Sequence, residues 1–288
     1  MRSRQRFSLV ALAAAAALVL SACGGGNDAG SDSSKTADSG SSSALETLTE
    51  GKLTIATGEP AFSPWVENND PASGEGFESA VAYAVAEKMG FSADDVEWVR
   101  TSFDSVIAPG PKNFDINIQQ FSITPEREQV VDFSSPYYVT TQGVLTVEGS
   151  AAAGAKSLAD LKDVKFGVAA GSNSAKIIEE QIDPSQEIGV FNSNDDAIAA
   201  LTAGQIDAVV TDLPTVLYLA AAELDGKGVV VGQFDTSEGG DEYAFLLPKD
   251  SPLTAAVTEA VDALREDGTL DSLAQKWLAD NAGAPVLK

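Results

Sequence analysis

Short apolar segments alternate along the chain with stretches in which apolar residues recur at helical spacing, beginning near residue 45. The two patterns are separable because strand side chains alternate faces, whereas helix side chains return to one face every three or four positions. The first series predicts strands at 53–57, 96–99, 114–118 and 143–147. It also predicts helices at 77–89, at 102–107 and from Pro125 onward.

A second series of the same kind follows the first. It predicts strands at 165–168, 188–191, 208–210, 229–231 and 243–247. It predicts helices at 174–181, 194–203, 215–224, 251–267 and 269–280. Strands that alternate with helices are typical of α/β folds with largely parallel sheets. About 240 residues arranged in two such series predict two lobes.

The N-terminal segment has the pattern of a lipoprotein signal. Arg2, Arg4 and Arg6 precede an apolar stretch at 8–20, which ends in Leu-Ser-Ala-Cys at 20–23. This ending resembles a bacterial lipobox, in which the cysteine becomes the lipidated first residue of the mature protein. The apolar run of about 13 residues is short of the roughly 20 that span a bilayer. We therefore expect a signal peptide at 1–22, with an uncleaved anchor or an unlipidated secretory signal as alternatives.

The segment at 23–44 predicts a tether between Cys23 and the folded part. Residues 24–43 are mostly glycine, serine, aspartate and asparagine, with almost nothing to bury. Such a composition favours a flexible, disordered linker. Together with a lipidated Cys23, it predicts a protein held at the outer face of the bacterial cytoplasmic membrane by its lipid anchor.

Composition narrows the possible chemistry. The chain carries 18 basic and 43 acidic residues, a net charge of −25, and this charge argues against nucleic-acid binding. It contains one cysteine, which excludes an internal disulfide, and no histidine, which removes Ser-His and Cys-His dyads and the usual imidazole zinc sites. We therefore predict no metal and no cofactor.

The most specific segment runs from 114 to 138 and contains Ser-Ile-Thr-Pro-Glu-Arg at 122–127. Thr124 suits an N-cap, Pro125 suits the first helical position, and an acid follows. Arg127 would then lie in the first turn, where a guanidinium beside free backbone N–H groups can bind a carboxylate or phosphate. The alternative is a surface arginine paired with a neighbouring glutamate.

The run at 122–138 closely resembles the polar amino-acid family of solute-binding proteins of ABC transporters. The resemblance extends over nearly all of 45–277 and implies a two-lobe Venus-flytrap fold of periplasmic-binding-protein type II. It implies a first lobe at 45–137 plus 243–288 and a second lobe at 142–238, with crossings near 138–141 and 239–242.

The same resemblance implies roles for residues of the first lobe. It assigns Arg127, helped by Ser122, to the α-carboxylate of a free amino acid. It assigns the backbone carbonyl of Gln120 to the α-ammonium. Phe62 and Phe103 match aromatic walls around the ligand side chain, although Phe62 could instead be a core aromatic.

In the second lobe the resemblance places Asn173 on the carboxylate and Asp212 on the ammonium. Asp212 could instead be only the N-cap of the helix near residue 215. The chain departs from the commoner family pattern at 106–112, which is proline-rich, and at Gln119 and Gln120, which replace small residues. Ligand identity therefore stays open: Glu59 suits a cationic side chain, whereas the two glutamines suit an amide or a carboxylate.

The sequence thus predicts a monomeric, lipid-anchored substrate-binding protein, not an enzyme. It would capture a free, polar amino acid and deliver it to the permease subunits of an ABC transporter. The alternatives are a dehydratase-like enzyme on the same scaffold and a ligand-sensing lipoprotein, because a fold does not determine a function.

Overall fold

The computed structural model describes residues 45–236, 240–278 and 283–288. The predicted signal peptide at 1–22, the predicted tether at 23–44 and the lipidation site Cys23 lie outside the described residues. None of the helices in the described ranges is long and apolar enough to cross a membrane.

The described residues form ten strands and seven α-helices. The strands are β1 Leu53–Gly58, β2 Val96–Thr101, β3 Ile116–Asn117, β4 Val131–Thr140, β5 Gln142–Val147, β6 Phe166–Ala169, β7 Gly189–Phe191, β8 Ala208–Asp212, β9 Gly228–Gln233 and β10 Asp241–Pro248. The helices are α1 Phe77–Lys88, α2 Phe103–Ile107, α3 Ser174–Gln181, α4 Asn194–Thr202, α5 Leu213–Tyr218, α6 Thr254–Glu266 and α7 Thr269–Leu278. A π-helical turn, Leu219–Glu223, continues α5.

The strands form two five-stranded sheets, in the orders β2-β1-β3-β10-β4 and β7-β6-β8-β5-β9. In the first sheet β10 runs antiparallel to both of its neighbours, and in the second sheet β5 does the same. The other pairings are parallel. The two sheets therefore share one topology, in which a single reversed strand occupies the fourth position.

Each sheet has its own hydrophobic core. Helices α1, α6 and α7 cover one face of the first sheet through buried residues such as Phe77, Val81 and Val257. A second, smaller hydrophobic cluster includes residues of α2. In the second sheet α3 packs on one face, and α4 and α5 contribute to clusters that include Leu201 and Val216. Two separate cores are the physical basis of the two lobes.

The chain passes between the sheets at two points. Thr141 alone separates β4 from β5, and residues 234–240 separate β9 from β10. The predicted crossing at 138–141 therefore coincides with the end of β4, whereas Gly239 of the second predicted crossing lies outside the described residues. The lobe boundaries themselves stay predictions, with one exception.

That exception is the C-terminal end of the predicted first lobe. The prediction extends this lobe to residue 288, and it is wrong for the last residues. The backbone of Gln233, at the end of β9, exchanges hydrogen bonds with Pro285 and Leu287, at 2.9 Å each. Leu287 is 1% exposed and belongs to the core of the second sheet. The last residues therefore pack on the second lobe. We name residues 283–288 the C-terminal tail.

One further local prediction differs from the structure, and one strand is absent from the predictions. The helix expected from Pro125 is only a 3₁₀ turn at Arg127–Gln129, although Thr124 Oγ1 does accept a hydrogen bond from the Arg127 N–H at 3.3 Å. The turn stops because Val131 is fully buried in β4, a ten-residue strand for which no prediction was made.

Candidate functional site

The carboxyl ends of the parallel strands of both sheets face one cavity, and its space of about 900 Å³ includes a part that is open to solvent. This is where open α/β sheets bind ligands, because loops leaving neighbouring strands diverge there. Residues at or just after the ends of six strands line the cavity: Gly58, Thr101, Gln119, Ser172, Asn192 and Asp212.

The cavity also gathers the side chains that were predicted to bind ligand. All seven are among its lining residues: Phe62, Phe103, Gln120, Ser122, Arg127, Asn173 and Asp212. They come from both lobes and are separated by up to 150 positions in the sequence. Their positions agree with a shared site, and their individual binding roles stay predictions.

Arg127 is a buried cation on the first-lobe side. Its residue exposure is 8%, and burial lowers the pKa of its guanidinium. Nη1 donates to the carbonyl of Ser122 at 2.7 Å, and Nη2 donates to the carbonyl of Gly171 in the second lobe at 2.8 Å. The guanidinium carbon also lies 5.5 Å from the ring centre of Phe103. A guanidinium has five N–H donors, so these two carbonyls leave capacity for a bidentate carboxylate.

Asp212 is a buried acid at the junction of β8 and α5. Its Oδ1 accepts from the Thr215 N–H at 2.9 Å, so Asp212 is indeed the N-cap of this helix. Its Oδ2 accepts a longer hydrogen bond from Thr211 Oγ1 at 3.3 Å. Burial raises the pKa of Asp212 to about 6. Capping thus accounts for one carboxylate oxygen, and the capping alternative does not exclude a ligand role.

Arg127 interacts electrostatically with Asp241 and Glu126, but neither it nor Asp212 has an oppositely charged side chain within 4.0 Å among the described residues. Within the described ranges 45–236, 240–278 and 283–288, no ion pair includes Arg127 or Asp212. An unpaired charge in a water-poor cavity is costly unless a ligand of opposite sign compensates it. The cavity therefore suits a molecule that carries both an anionic and a cationic group.

Gln120 is held by Glu78, a residue that the sequence predicts only as part of the helix at 77–89. Gln120 has a φ of 50°, in the left-handed region, and its N–H donates to Glu78 Oε1 at 2.8 Å. Its side-chain amide and the Tyr137 hydroxyl donate to the same carboxyl group. Glu78 is fully buried, and burial raises its pKa to about 7. The signal in the sequence was its helical spacing from Val81 and Val85, which places an acid on the buried face of α1.

The other predicted residues have more ordinary surroundings. Phe103 stacks on Phe121 with ring centres 4.2 Å apart, which fixes one wall of the cavity. Phe62 is only half-buried and lies outside the hydrophobic core clusters of the described residues. The amide nitrogen of Asn173 donates to Asp241 Oδ1 at 3.1 Å, so this side chain already has a partner where the chain enters β10.

Comparison with known proteins identifies the family. A sequence model described as "Bacterial extracellular solute-binding proteins, family 3" matches residues 53–280, which is most of the chain. The chain belongs to this family. Family 3 membership agrees with the two-lobe fold and with the site at the strand ends.

Named relatives of this family 3 protein include binding proteins of different bacteria. The L-cystine-binding protein TcyJ of Escherichia coli (strain K12) is 28% identical over 231 residues, covering 80% of this chain and 82% of the relative. The L-arginine-binding protein of Pseudomonas aeruginosa is 30% identical over 227 residues, covering 77% and 86%. These relatives are named binding proteins rather than enzymes, which supports a non-enzymatic solute-binding role.

Solved structures support the same fold. An ancestral arginine-binding protein, solved bound to arginine and also bound to glutamine, superposes with a TM-score of 0.67 at 31% identity in both structures. The superposition covers 79% of this chain and 98% of the arginine-bound chain. The family 3 protein is therefore a two-lobe binding protein of periplasmic type II. Among its described residues, no group of three or more His, Cys, Asp or Glu side chains could hold a metal ion.

Proposed function

We propose that this protein binds a free α-amino acid in the cavity between its lobes. The observation that carries this proposal is the pair of buried charges without an ion-pair partner among the described residues, Arg127 in the first lobe and Asp212 in the second. An α-amino acid is a zwitterion, so its carboxylate would be held by the guanidinium and its ammonium by Asp212 and the carbonyl of Gln120. The names of the relatives, which include cystine- and arginine-binding proteins, favour the same ligand class.

Ligand capture would proceed by closure of the lobes. In this proposal the first lobe is 45–137 plus 243 to about 278, and the second is 142–238 with the C-terminal tail. Arg127 and Phe103 would receive the ligand first, and Asp212 and the amides around Ser172 would reach it on closure. The hydrogen bond from Arg127 to the Gly171 carbonyl spans the two lobes and would accompany closure.

We also propose that the protein serves an ABC transporter and is anchored by a lipid on Cys23. The lipobox-like ending at 20–23 and the glycine- and serine-rich stretch after it support this arrangement. The protein would then work at the outer face of the cytoplasmic membrane as a monomer and hand its ligand to a membrane permease. Replacement of Cys23 by alanine tests the anchor, because the variant should leave the detergent phase in a partition assay. Continued partition into detergent would instead indicate an uncleaved membrane anchor.

Calorimetry with the full-length protein in detergent tests the ligand class. We expect at least one of the twenty L-amino acids to bind with micromolar or better affinity, about −8 kcal/mol or more favourable. For that amino acid, the methyl ester and the deaminated analogue should each bind at least a hundredfold more weakly. An ester that binds as well as the parent compound would contradict a carboxylate clamp at Arg127, and absence of binding by all twenty would contradict the proposed function.

A further inference from the structure

The acid at the side-chain end of the cavity is already engaged by the protein. Glu59 lines the mouth of the cavity with a side chain that is 56% exposed, and its Oε2 lies 3.5 Å from Arg100 Nε. Its Oε1 accepts a hydrogen bond from the Asn69 side-chain amide at 3.2 Å. Both carboxylate oxygens therefore have protein partners, and the nearest cation is a residue of this chain.

Arg100 is held in place independently of Glu59. Its Nη1 donates to the carbonyl of Gly58 and, at 2.9 Å, to Asn69 Oδ1. Its Nη2 donates to the backbone carbonyl of Asn69. Asn69 is itself fixed, because its Oδ1 also accepts from the Ala61 N–H at 2.9 Å. A ligand cation that approached Glu59 would therefore meet a guanidinium that cannot easily move away.

The charge balance of the cavity follows from this arrangement. The charged residues among those that line the cavity are Glu59, Arg127 and Asp212. In the proposed function, Arg127 and Asp212 bind the two α-groups of the ligand, and Arg100 balances Glu59. A cationic ligand side chain would add an unpaired charge beside Arg100, and an anionic one would add an unpaired charge beside Glu59. Specificity against a competitor often comes from such like-charge repulsion.

The remaining polar side chains that line the cavity are neutral. Asn194, at the start of α4, lines the cavity, and its Oδ1 is buried without a hydrogen-bond partner among the described residues. Gln119 lines the opposite side, and its Oε1 accepts only a long bond, 3.4 Å, from Thr101 Oγ1. An unpaired buried acceptor requires a donor, and two amide side chains together supply both donors and acceptors. A neutral side chain that both donates and accepts hydrogen bonds, as an amide does, complements this set.

We propose that the cavity selects α-amino acids with an uncharged, hydrogen-bonding side chain of the amide class, and that Arg100 is the residue that excludes cationic ones. The inference rests on the proposed function, since it concerns the side chain of the same ligand. It assigns Arg100 a specificity role although Arg100 itself is not a lining residue, because it acts through Glu59.

Calorimetry on the full-length protein in detergent tests the ligand class directly, with glutamine, asparagine, leucine, glutamate, lysine and arginine as probes. Glutamine or asparagine should bind at least tenfold more tightly than each of the other four. Tightest binding of arginine, lysine, glutamate or leucine would overturn this inference and leave amino-acid binding intact. Absence of binding by every L-amino acid would instead contradict the proposed function.

Variants at Arg100 test the mechanism of exclusion. In Arg100→Met the carboxylate of Glu59 loses its cation, so the ratio of arginine affinity to glutamine affinity should rise at least tenfold. The double variant Arg100→Met/Glu59→Gln should return this ratio toward the wild-type value. Arg265→Gln, which removes an arginine from α6 outside the cavity lining, is the matched control and should leave the ratio unchanged. Arg100→Gln serves the same purpose if Arg100→Met does not melt cooperatively, and an unchanged ratio in the folded Arg100 variant would overturn the role of Arg100.

Discussion

At the scale of single residues, the site depends on ionisable groups that are buried before any ligand arrives. Arg127, Asp212 and Glu78 are each 8% exposed or less, although such side chains are seldom buried without pairing. Arg127 and Asp212 could be predicted from the sequence as candidate ligand-binding residues, because both lie in segments that resemble the solute-binding protein family. Glu78 was missed, since an acid in the first turn of a helix is usually a solvated partner of the helix dipole. Only tertiary packing shows that its side chain points to the core and holds Gln120.

Arg127→Ala should nearly abolish ligand binding. Loss of one partner of a buried charge pair costs roughly 2–5 kcal/mol, which corresponds to about 30-fold to several-thousand-fold in affinity. Calorimetry with the best amino acid measures this loss, and Arg265→Ala, a half-exposed arginine on α6, is the control for removing one positive charge. A change of less than threefold in Arg127→Ala would remove this residue from the site.

Asp212→Asn should separate ligand binding from helix capping. Asparagine caps helices about as well as aspartate, so the variant should melt at no lower temperature than the wild type without ligand. A neutral amide cannot compensate an ammonium in a closed cavity, and binding should weaken by at least roughly 2 kcal/mol. Asp212→Ala, which also loses the bond from the Thr215 N–H, should in addition be less stable by about 1 kcal/mol. Wild-type affinity in Asp212→Asn would mean that Asp212 is only a cap.

Ligand affinity should rise with pH between about 5 and 7. Burial raises the pKa of Asp212 to about 6 in the free protein, and a bound ammonium would favour its ionised form. Below that pKa a proton competes with the ligand, and affinity should fall toward tenfold for each further pH unit. Calorimetry across this range should give that slope for the wild type and a much flatter profile for Asp212→Asn. A wild-type profile without slope would show that Asp212 does not exchange a proton for the ligand.

The variant Glu78→Gln extends the measurement of ligand affinity against pH to the second buried carboxyl group. Glu78, with a pKa of about 7, is mostly protonated where Asp212 titrates near 6, and the charge on Asp212 raises the pKa of Glu78. The glutamine variant keeps an acceptor for the Gln120 N–H and cannot ionise. The midpoint of the affinity profile should therefore stay near pH 6, and a midpoint that moved clearly would show that Glu78 contributes to the titration.

At the scale of elements, helices and buried strands were predictable, and segments that depend on distant partners were not. The helix α3 has the predicted bounds, because its apolar spacing is a local property. Strand β4 contains Ser134, Ser135 and Pro136 and shows no clear apolar run, and it is a strand because β10 pairs with it. The C-terminal tail was misplaced for a similar reason, since nothing local indicates which lobe its leucine enters.

Leu287→Ala should destabilise the second lobe. Truncation of a buried leucine costs about 2–5 kcal/mol, and the lower end applies near a chain terminus, where neighbours can relax. Denaturant unfolding monitored by circular dichroism measures the change. Val286→Ala, at the neighbouring position with 43% exposure, is the matched control and should change stability by less than about 0.5 kcal/mol. Equal effects of the two substitutions would contradict the packing of the tail described above.

At the scale of the whole molecule, two equivalent sheets meet at their strand ends and are joined by contacts across the cleft. One such contact is a buried hydrogen bond from Trp65 Nε1, in the first lobe, to Thr215 Oγ1 at the start of α5 in the second, with a length of 2.8 Å. Two lobes could be predicted from the two series of elements. The contacts that join them could not, because each links residues with unrelated local patterns.

Thr215→Val should favour separation of the lobes. Valine keeps the shape of threonine but leaves the Trp65 N–H without its acceptor in the closed arrangement, at a cost of about 1–3 kcal/mol. Ligand affinity should therefore fall about fivefold or more, and the ligand-free radius of gyration from X-ray scattering should exceed that of the wild type. Thr202→Val, at an exposed position of α4, is the control. An unchanged radius and affinity would show that this bond does not bias closure.

The C-terminal tail places the two ends of the described chain on different lobes. Leu45 packs against the core of the first sheet, whereas Leu287 lies in the core of the second. Fluorescent reporters attached beyond these ends would therefore be carried by different lobes. Energy transfer between the two reporters would change when the cleft closes. The natural architecture thus offers an optical sensor of its own ligand without circular permutation.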